Sequence, residues 1–285
     1  MPRRTTPHTA PRSAAGGRHE LGQNFLHHPP TVRRFADLVR ETDGAILELG
    51  AGDGALTREL ARLGRPLTAV EIDEHRVERL RRMLRRSGTA TTADPRTTTG
   101  TGTGTGTATV RIEHDDAMRV PLDAPVVAGN IPFHLTSPLL RRLLTAGRWQ
   151  HAVLLTQWEV ARKRAGVGGG TMMTAQGAPW FEVRIEFRVP ARHFRPVPGV
   201  DGGVLSIVRR PRPLVPVSQR RGYEAFVRAV FTGRGGRIAR VVERAARVDR
   251  RAAERALARA GVDGRALPRD VGPEQWASLW HDLRG

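Results

Sequence analysis

The chain has 285 residues, room for one large domain or for a large and a small one. It carries 47 Lys and Arg against 28 Asp and Glu, a net charge of +19, and its 39% hydrophobic residues suffice for a buried core. With no cysteine it can form neither a disulfide framework nor a cysteine-based metal site, and no apolar run approaches the roughly 20 residues of a membrane span.

Lysine occurs only at Lys163, so nearly all the positive charge is arginine. The planar guanidinium donates two hydrogen bonds to a phosphate, and the excess predicts a polyanionic partner, nucleic acid above all. Biased composition would explain arginine over lysine, but not the net charge. No signal peptide is evident, so a soluble, cytoplasmic protein without membrane association is expected.

Residues 1–18 are basic and rich in Pro, Thr and Gly, which predicts a disordered tail: a loose electrostatic arm or a mere extension. The stretch Gln23-Asn24-Phe25-Leu26 sets two side-chain amides beside two apolar residues, which suits an edge covering a polar ligand. A helical pattern runs from Thr31 to Arg40. Ala45 to Leu49 then reads as a strand, followed by Gly50, Gly52 and Gly54 and an amphipathic helix over Ala55–Leu63. Strand, glycine turn and helix form the grammar of a nucleotide-type pocket, although a bare tight turn gives the same pattern. Leu67 to Ile72 reads as the next strand. Glu71 lies about 20 residues beyond the glycines, where a doubly wound sheet sets a carboxylate against ribose hydroxyls. The bland alternative makes Glu71 and Asp73 caps of the helix that follows. The turn lacks the third glycine of the dinucleotide spacing and has no Walker lysine. S-adenosylmethionine, an adenosine without phosphates, fits better than NAD or ATP.

Residues 87–108 end in a Thr-Gly alternation that makes a stable element unlikely, so a surface insertion is expected. Strand character returns at Thr109–His114, followed by Asp115-Asp116-Ala117-Met118. A carboxylate there can meet an adenine's exocyclic amine, or serve as a helix N-cap. Residues 125–129 form a short strand that delivers Asn130-Ile131-Pro132-Phe133. A helix should follow with Ser137 as its N-cap and Pro138 at its first position. Further strands are expected at His151–Thr156, 180–189 and Gly203–Val208, with a rigid proline loop, 193–198, before the last. The alternation of strands and helices predicts a mostly parallel α/β sheet whose ligands lie at the carboxyl ends of the strands. Beyond the proline-rich joint 211–216 all segments look helical, and they are arginine-dense. The expected organisation is therefore a tail, 1–18, an α/β domain, 19–212, and a helical RNA-binding domain, 213–285.

An adenine N6 amine is a poor nucleophile because its lone pair is delocalised into the ring. Two acceptors, the Asn130 side-chain oxygen and the Ile131 carbonyl, can draw its hydrogens so that the lone pair faces a methyl donor. Pro132 rigidifies the loop, and Phe133 can stack on an unstacked target base. A sulfonium donor is already activated, so positioning does most of the catalysis and neither a strong base nor a metal is needed.

The motifs Gln-Asn-Phe-Leu, Glu-Leu-Gly-Ala-Gly, Val-Glu-Ile-Asp, Asp-Asp-Ala-Met, Asn-Ile-Pro-Phe and Phe-Arg-Pro-x-Pro-x-Val-Asp resemble those of the ribosomal RNA adenine N6-methyltransferases over roughly residues 19–245. Within that group the chain looks most like the Erm branch, which modifies an adenine of 23S ribosomal RNA and confers macrolide–lincosamide–streptogramin B resistance. The resemblance implies a Rossmann-like S-adenosylmethionine methyltransferase sheet with a small C-terminal all-helical domain. It implies that Asn24, Leu26, Gly50, Glu71, Asp116 and Asn130 contact S-adenosylmethionine. Asn130, Ile131, Pro132 and Phe133 would serve the target amine, Phe133 and Phe194 would hold the target adenine, and 23S ribosomal RNA would be the partner. The chain departs from the family at Phe133 and His134, where tyrosine and asparagine are common; phenylalanine keeps the stacking and loses only a hydroxyl. Rival readings are a 16S ribosomal RNA dimethyladenosine transferase, a DNA adenine methyltransferase and a non-catalytic RNA-binding protein.

Overall fold

The computed structural model describes residues 24–86, 109–145, 148–234 and 237–284. The basic tail, Gln23 and the 87–108 insertion lie outside the described residues.

Two short strands, β1 (Phe25–Leu26) and β8 (Phe194–Arg195), pair with each other antiparallel. The main sheet holds β2 (Ile46–Leu49), β3 (Leu67–Glu71), β4 (Val110–His114), β5 (Val126–Asn130), β6 (His151–Gln157), β7 (Phe181–Val189) and β9 (Gly202–Arg209). Their order is β4-β3-β2-β5-β6-β9-β7. The first five strands run parallel, while β9 and β7 join antiparallel. Order reverses across β2, β3 and β5, and this crevice is where an open α/β sheet takes its ligand.

Side chains alternate across the sheet and divide the core in two. Ile46, Val126, Ala128, Val153 and Leu155 face α1 (Pro29–Arg40), α2 (Ala55–Ala61) and α3 (Glu74–Arg86). Leu47, Leu49, Val127 and Leu154 face α4 (Thr136–Thr145), α6 (Met172–Gly177) and the C-terminal helices. Each fully buried Leu or Val in these layers stabilises the fold by about 1.5–3 kcal/mol.

The C-terminal helices are α7 (Arg220–Thr232), α8 (Ile238–Ala246), α9 (Arg250–Arg259) and α10 (Pro273–Arg284); α5 (Trp158–Arg164) follows β6. Their apolar faces join the same cluster as the second face of the sheet. Tyr223 is fully buried between Trp180 and Trp280, both edge-on, and its hydroxyl donates to the Ala175 carbonyl at 2.9 Å.

One local expectation needs correction, and two features were not anticipated. The helix after Asn130 begins at Thr136, because a 3-10 turn over Phe133–Leu135 runs straight into it and leaves Ser137 inside. Residues 172–177 form a helix capped by the Thr171 hydroxyl, which accepts from the Thr174 amide. The 24–26 edge pairs with residues far along the chain, Leu26 opposite Phe194.

Candidate active site

The glycine turn after β2 is left-handed at all three glycines, with φ of +72° at Gly50, +57° at Gly52 and +81° at Gly54. At Gly52 the need is twofold: a Cβ would strain the backbone, and it would lie 2.9 Å from Cε1 of Phe25. The Phe25 ring therefore lies against the turn, and the Arg76 guanidinium covers it at 4.1 Å.

Glu71 ends β3 and is buried. Its Oε2 accepts from the Gly52 amide at 2.7 Å, and its Oε1 accepts from the Ile72 and Asp73 amides at 3.0 Å each. Three backbone donors compensate the carboxylate and lock it to the turn, while both oxygens keep acceptor capacity toward the cavity. The alternative role as a helix cap falls to Asp73, whose Oδ1 accepts from the amides of His75 and Arg76.

Asn130 closes β5. Its Nδ2 donates to the Asn24 carbonyl at 2.8 Å. A carbonyl accepts only from the amide's nitrogen end, so the side-chain oxygen is left as the open acceptor. The Ile131 amide donates to the Leu155 carbonyl at 2.9 Å and ties the loop to β6. Behind it the buried Thr136 and Thr156 hydroxyls bond at 2.7 Å. Phe133 is half-buried and lines the same cavity as Asn130, Ile131 and Pro132.

The cavity has two lobes that share Gly50, Glu71, Ile131 and Pro132. One runs past Asn24, Leu26, Gly52 and Asn130. The other is lined by the exposed Ile72 and by Asp116, Met118 and His134. Asp116 accepts from the Met118 amide at 2.8 Å, and its carbonyl accepts the Arg119 and Val120 amides, so it also opens the turn after β4.

Phe194 is placed otherwise than the stacking expectation requires. Its ring is fully buried, and a Cβ on Gly202 would lie 2.8 Å from its Cζ. In this structure it is a core residue that anchors β8, not a face offered to a base. Beside it the His28 and His193 rings stack at 3.7 Å, and both Nδ1 atoms bond the Thr31 hydroxyl at 2.9 Å. Burial, and then the neighbouring His28, Arg192 and His27, hold the His193 pKa below its ordinary value. This cluster pins β1 to the segment before β8.

Glu48 was not singled out by its sequence pattern. It sits inside β2, 1% exposed, opposite Ala69 on β3 and Ala128 on β5, and lines the first lobe. Its Oε2 has no hydrogen-bond partner among the described residues, nor has the Thr57 hydroxyl. Burial pushes its carboxyl up to about 8; Thr57 faces it and lowers this somewhat without a well-formed bond, and the Glu71 charge adds to the rise.

A glycine cradle, a carboxylate at the second strand and an anchored Asn-Ile-Pro-Phe loop at the fourth, on this sheet, define a Rossmann-like methyltransferase. The profile of the family described as ribosomal RNA adenine dimethylase matches residues 15–283. A "rRNA adenine N-6-methyltransferase" of Corynebacterium diphtheriae is 46% identical over 80% of this chain and 83% of its own length. The "Mycinamicin-resistance protein MyrB" of Micromonospora griseorubida is 45% identical over 95% of this chain and 80% of its own. The crystal structure of the 23S rRNA methyltransferase ErmE superposes with a TM-score of 0.77 at 33% identity, covering 92% of this chain and all of that one. The chain belongs to the ribosomal RNA adenine dimethylase family and is an S-adenosylmethionine-dependent rRNA adenine N6-methyltransferase. Among the described residues no helix is long and apolar enough to cross a membrane.

Proposed function

We propose that the chain methylates N6 of one adenine in 23S ribosomal RNA and so protects the ribosome against macrolide, lincosamide and streptogramin B antibiotics. The observation that carries the reading is the anchored Asn130. Its amide nitrogen is committed to Asn24, which leaves its oxygen to accept from an adenine amine beside the lobe that Glu71 flanks. The Ile131 carbonyl is the second acceptor. Together they turn the amine's lone pair toward the donor. The N6–methyl bond forms as the sulfur–methyl bond breaks, leaving S-adenosylhomocysteine and one proton, which passes to water. Phe133 supplies the stacking face. Glu71 accepts the ribose hydroxyls, Asp116 the donor's adenine amine, and Asn24, Leu26 and Gly50 line the rest. The exposed arginines of α8 and α9 hold the RNA backbone.

The 23S reading draws on relatives named for that substrate or for macrolide resistance. A second reading, methylation of 16S RNA, draws on a "Ribosomal RNA small subunit methyltransferase A" of Chlorobium limicola that is 32% identical over 74% of this chain. Incubation with labelled S-adenosylmethionine and protein-free 23S RNA, 16S RNA and DNA, followed by mass analysis of the base, decides between them. N6-methylated adenine in 23S RNA is expected and also gives the methyl count. Label in 16S RNA alone moves the chain to the second reading.

A further inference from the structure

Asn130 owes its direction to an edge that pairs over very little length. Its amide nitrogen donates to the Asn24 carbonyl at 2.8 Å, and Asn24 stands directly before β1. β1 meets β8 over two residues, too short a ladder to hold an edge by itself. A clasp lies at the other end of β1. The His27 amide donates to the His193 carbonyl at 3.0 Å. His28 stands at the N-cap of α1, where Pro29 and Pro30 offer no N–H, and its ring goes instead to the buried Thr31 hydroxyl. The His193 ring reaches the same hydroxyl from 162 residues along the chain. It lies on the His28 ring at 3.7 Å, 14° from parallel. Asp201 holds the 3-10 turn that carries His193 (Ala191–His193). Its Oδ1 accepts from the Ala191 amide at 2.8 Å, and its Oδ2 accepts from Arg188 at 2.7 Å.

We propose that His28, Thr31 and His193 are positioning residues for methyl transfer: their clasp holds β1, so that the Asn24 carbonyl keeps the Asn130 oxygen aimed at the target amine. This rests on the reading of Asn130 as the acceptor for that amine. The Thr31 hydroxyl has one hydrogen. It donates to one Nδ1 and accepts the N–H of the other, so the two rings hold opposite tautomers. A first proton can enter at Nε2 of the ring that donates, and both bonds survive. A second proton removes the acceptor nitrogen and sets two cations face to face at 3.7 Å. The charged and titratable groups facing His193 are His28 and His27 before α1, Arg192 on its own turn and Asp201 ahead of β9. Of these Asp201 alone favours a proton, so burial and the other three hold the ring neutral. The clasp is closed at neutral pH and opens as pH falls below the ordinary imidazole value of about 6.5.

The test is a double-mutant cycle on the full chain, read by single-turnover transfer from saturating S-adenosylmethionine to the RNA that the wild type methylates. Thr31→Val keeps the shape and removes the hydroxyl. It should slow transfer about ten- to a hundredfold with RNA affinity unchanged, and Thr31→Ser should restore the rate. Because Thr31 acts through Asn130, adding Thr31→Val to Asn130→Ala should cost no more than about twofold further. The wild-type rate should fall on the acid side below about pH 6.5. His193→Asn keeps an amide near the Nδ1 position and cannot take a proton, so it should lose that acid limb. Equal losses in the two backgrounds, an unchanged rate in Thr31→Val, or an acid limb that survives in His193→Asn overturns the proposal and leaves the role of Asn130 standing. Transfer by Asn130→Ala at the wild-type rate overturns that role instead. The wild-type profile depends on no variant folding: a rate flat from about pH 8 to about pH 5 also overturns the clasp.

Discussion

On the function proposed above, the crevice at the strand ends and the C-terminal helices would meet the substrate in opposite ways. At the crevice these polar groups are held by defined backbone partners: Asn130 on Asn24, Glu71 on three amides, Ile131 on Leu155. On α8 and α9 the arginines are exposed and spread over turns of helix, with Arg240, Arg244, Arg251 and Arg255, and Arg237 at the start of α8, all open to solvent. The proposal assigns the first region to geometry and the second to summed charge. Substitutions in the crevice should therefore be large and specific in effect, and those on the helices small, additive and dependent on salt.

The largest effect is expected at the loop. Asn130→Ala removes the acceptor that aims the amine, and single-turnover methyl transfer should fall by about 10³ while RNA affinity stays nearly unchanged. Comparable turnover in the variant would dissolve the contrast between the regions. Next comes Glu71→Gln. An amide offers one acceptor oxygen where three backbone donors now converge, so at least one buried N–H loses its partner. Urea unfolding should show a loss of about 1–3 kcal/mol, with weaker donor binding besides. An unchanged midpoint would mean that the three amides do not hold the turn.

The ends of β2, β3 and β5 were legible because spacing alone sets glycines, Glu71 and Asn130 at carboxyl termini of neighbouring strands. Glu48 was not. It heads the Glu-Leu-Gly-Ala-Gly motif, but nothing local marks it as buried and unpaired, and its isolation comes from Ala69 and Ala128 on two other strands. Phe194 shows the converse. Its motif was visible, but its burial depends on the pairing of β8 with β1, two-residue strands far apart in sequence that carry no local signal. The α6 helix is too short for its periodicity to register.

On the helices the effects shrink. Arg240 and Arg244 are one turn apart on α8, and both are exposed. Replacing both by alanine should weaken RNA binding several-fold and reduce the salt dependence of log Kd by about 1 for each phosphate that is no longer neutralised. Turnover at saturating RNA should not move. A slope that stays the same would put the RNA elsewhere.

The smallest effect separates stability from charge at a single residue. Arg247 follows α8 in the left-handed region, φ 57° and ψ 41°, with its amide bonded to the Glu243 carbonyl. A residue with a Cβ is disfavoured there by about 1–2 kcal/mol, and glycine is the usual occupant of such a helix end. Glycine also costs about 0.5–1 kcal/mol through its freer unfolded chain, so Arg247→Gly should stabilise the protein by no more than about 1 kcal/mol, read as a rise in Tm. The same change removes one exposed positive charge. If that surface binds RNA through summed charge, affinity should drop slightly at low salt while stability rises. If affinity tracked stability instead, the helices would be acting as a scaffold and the charge would be incidental.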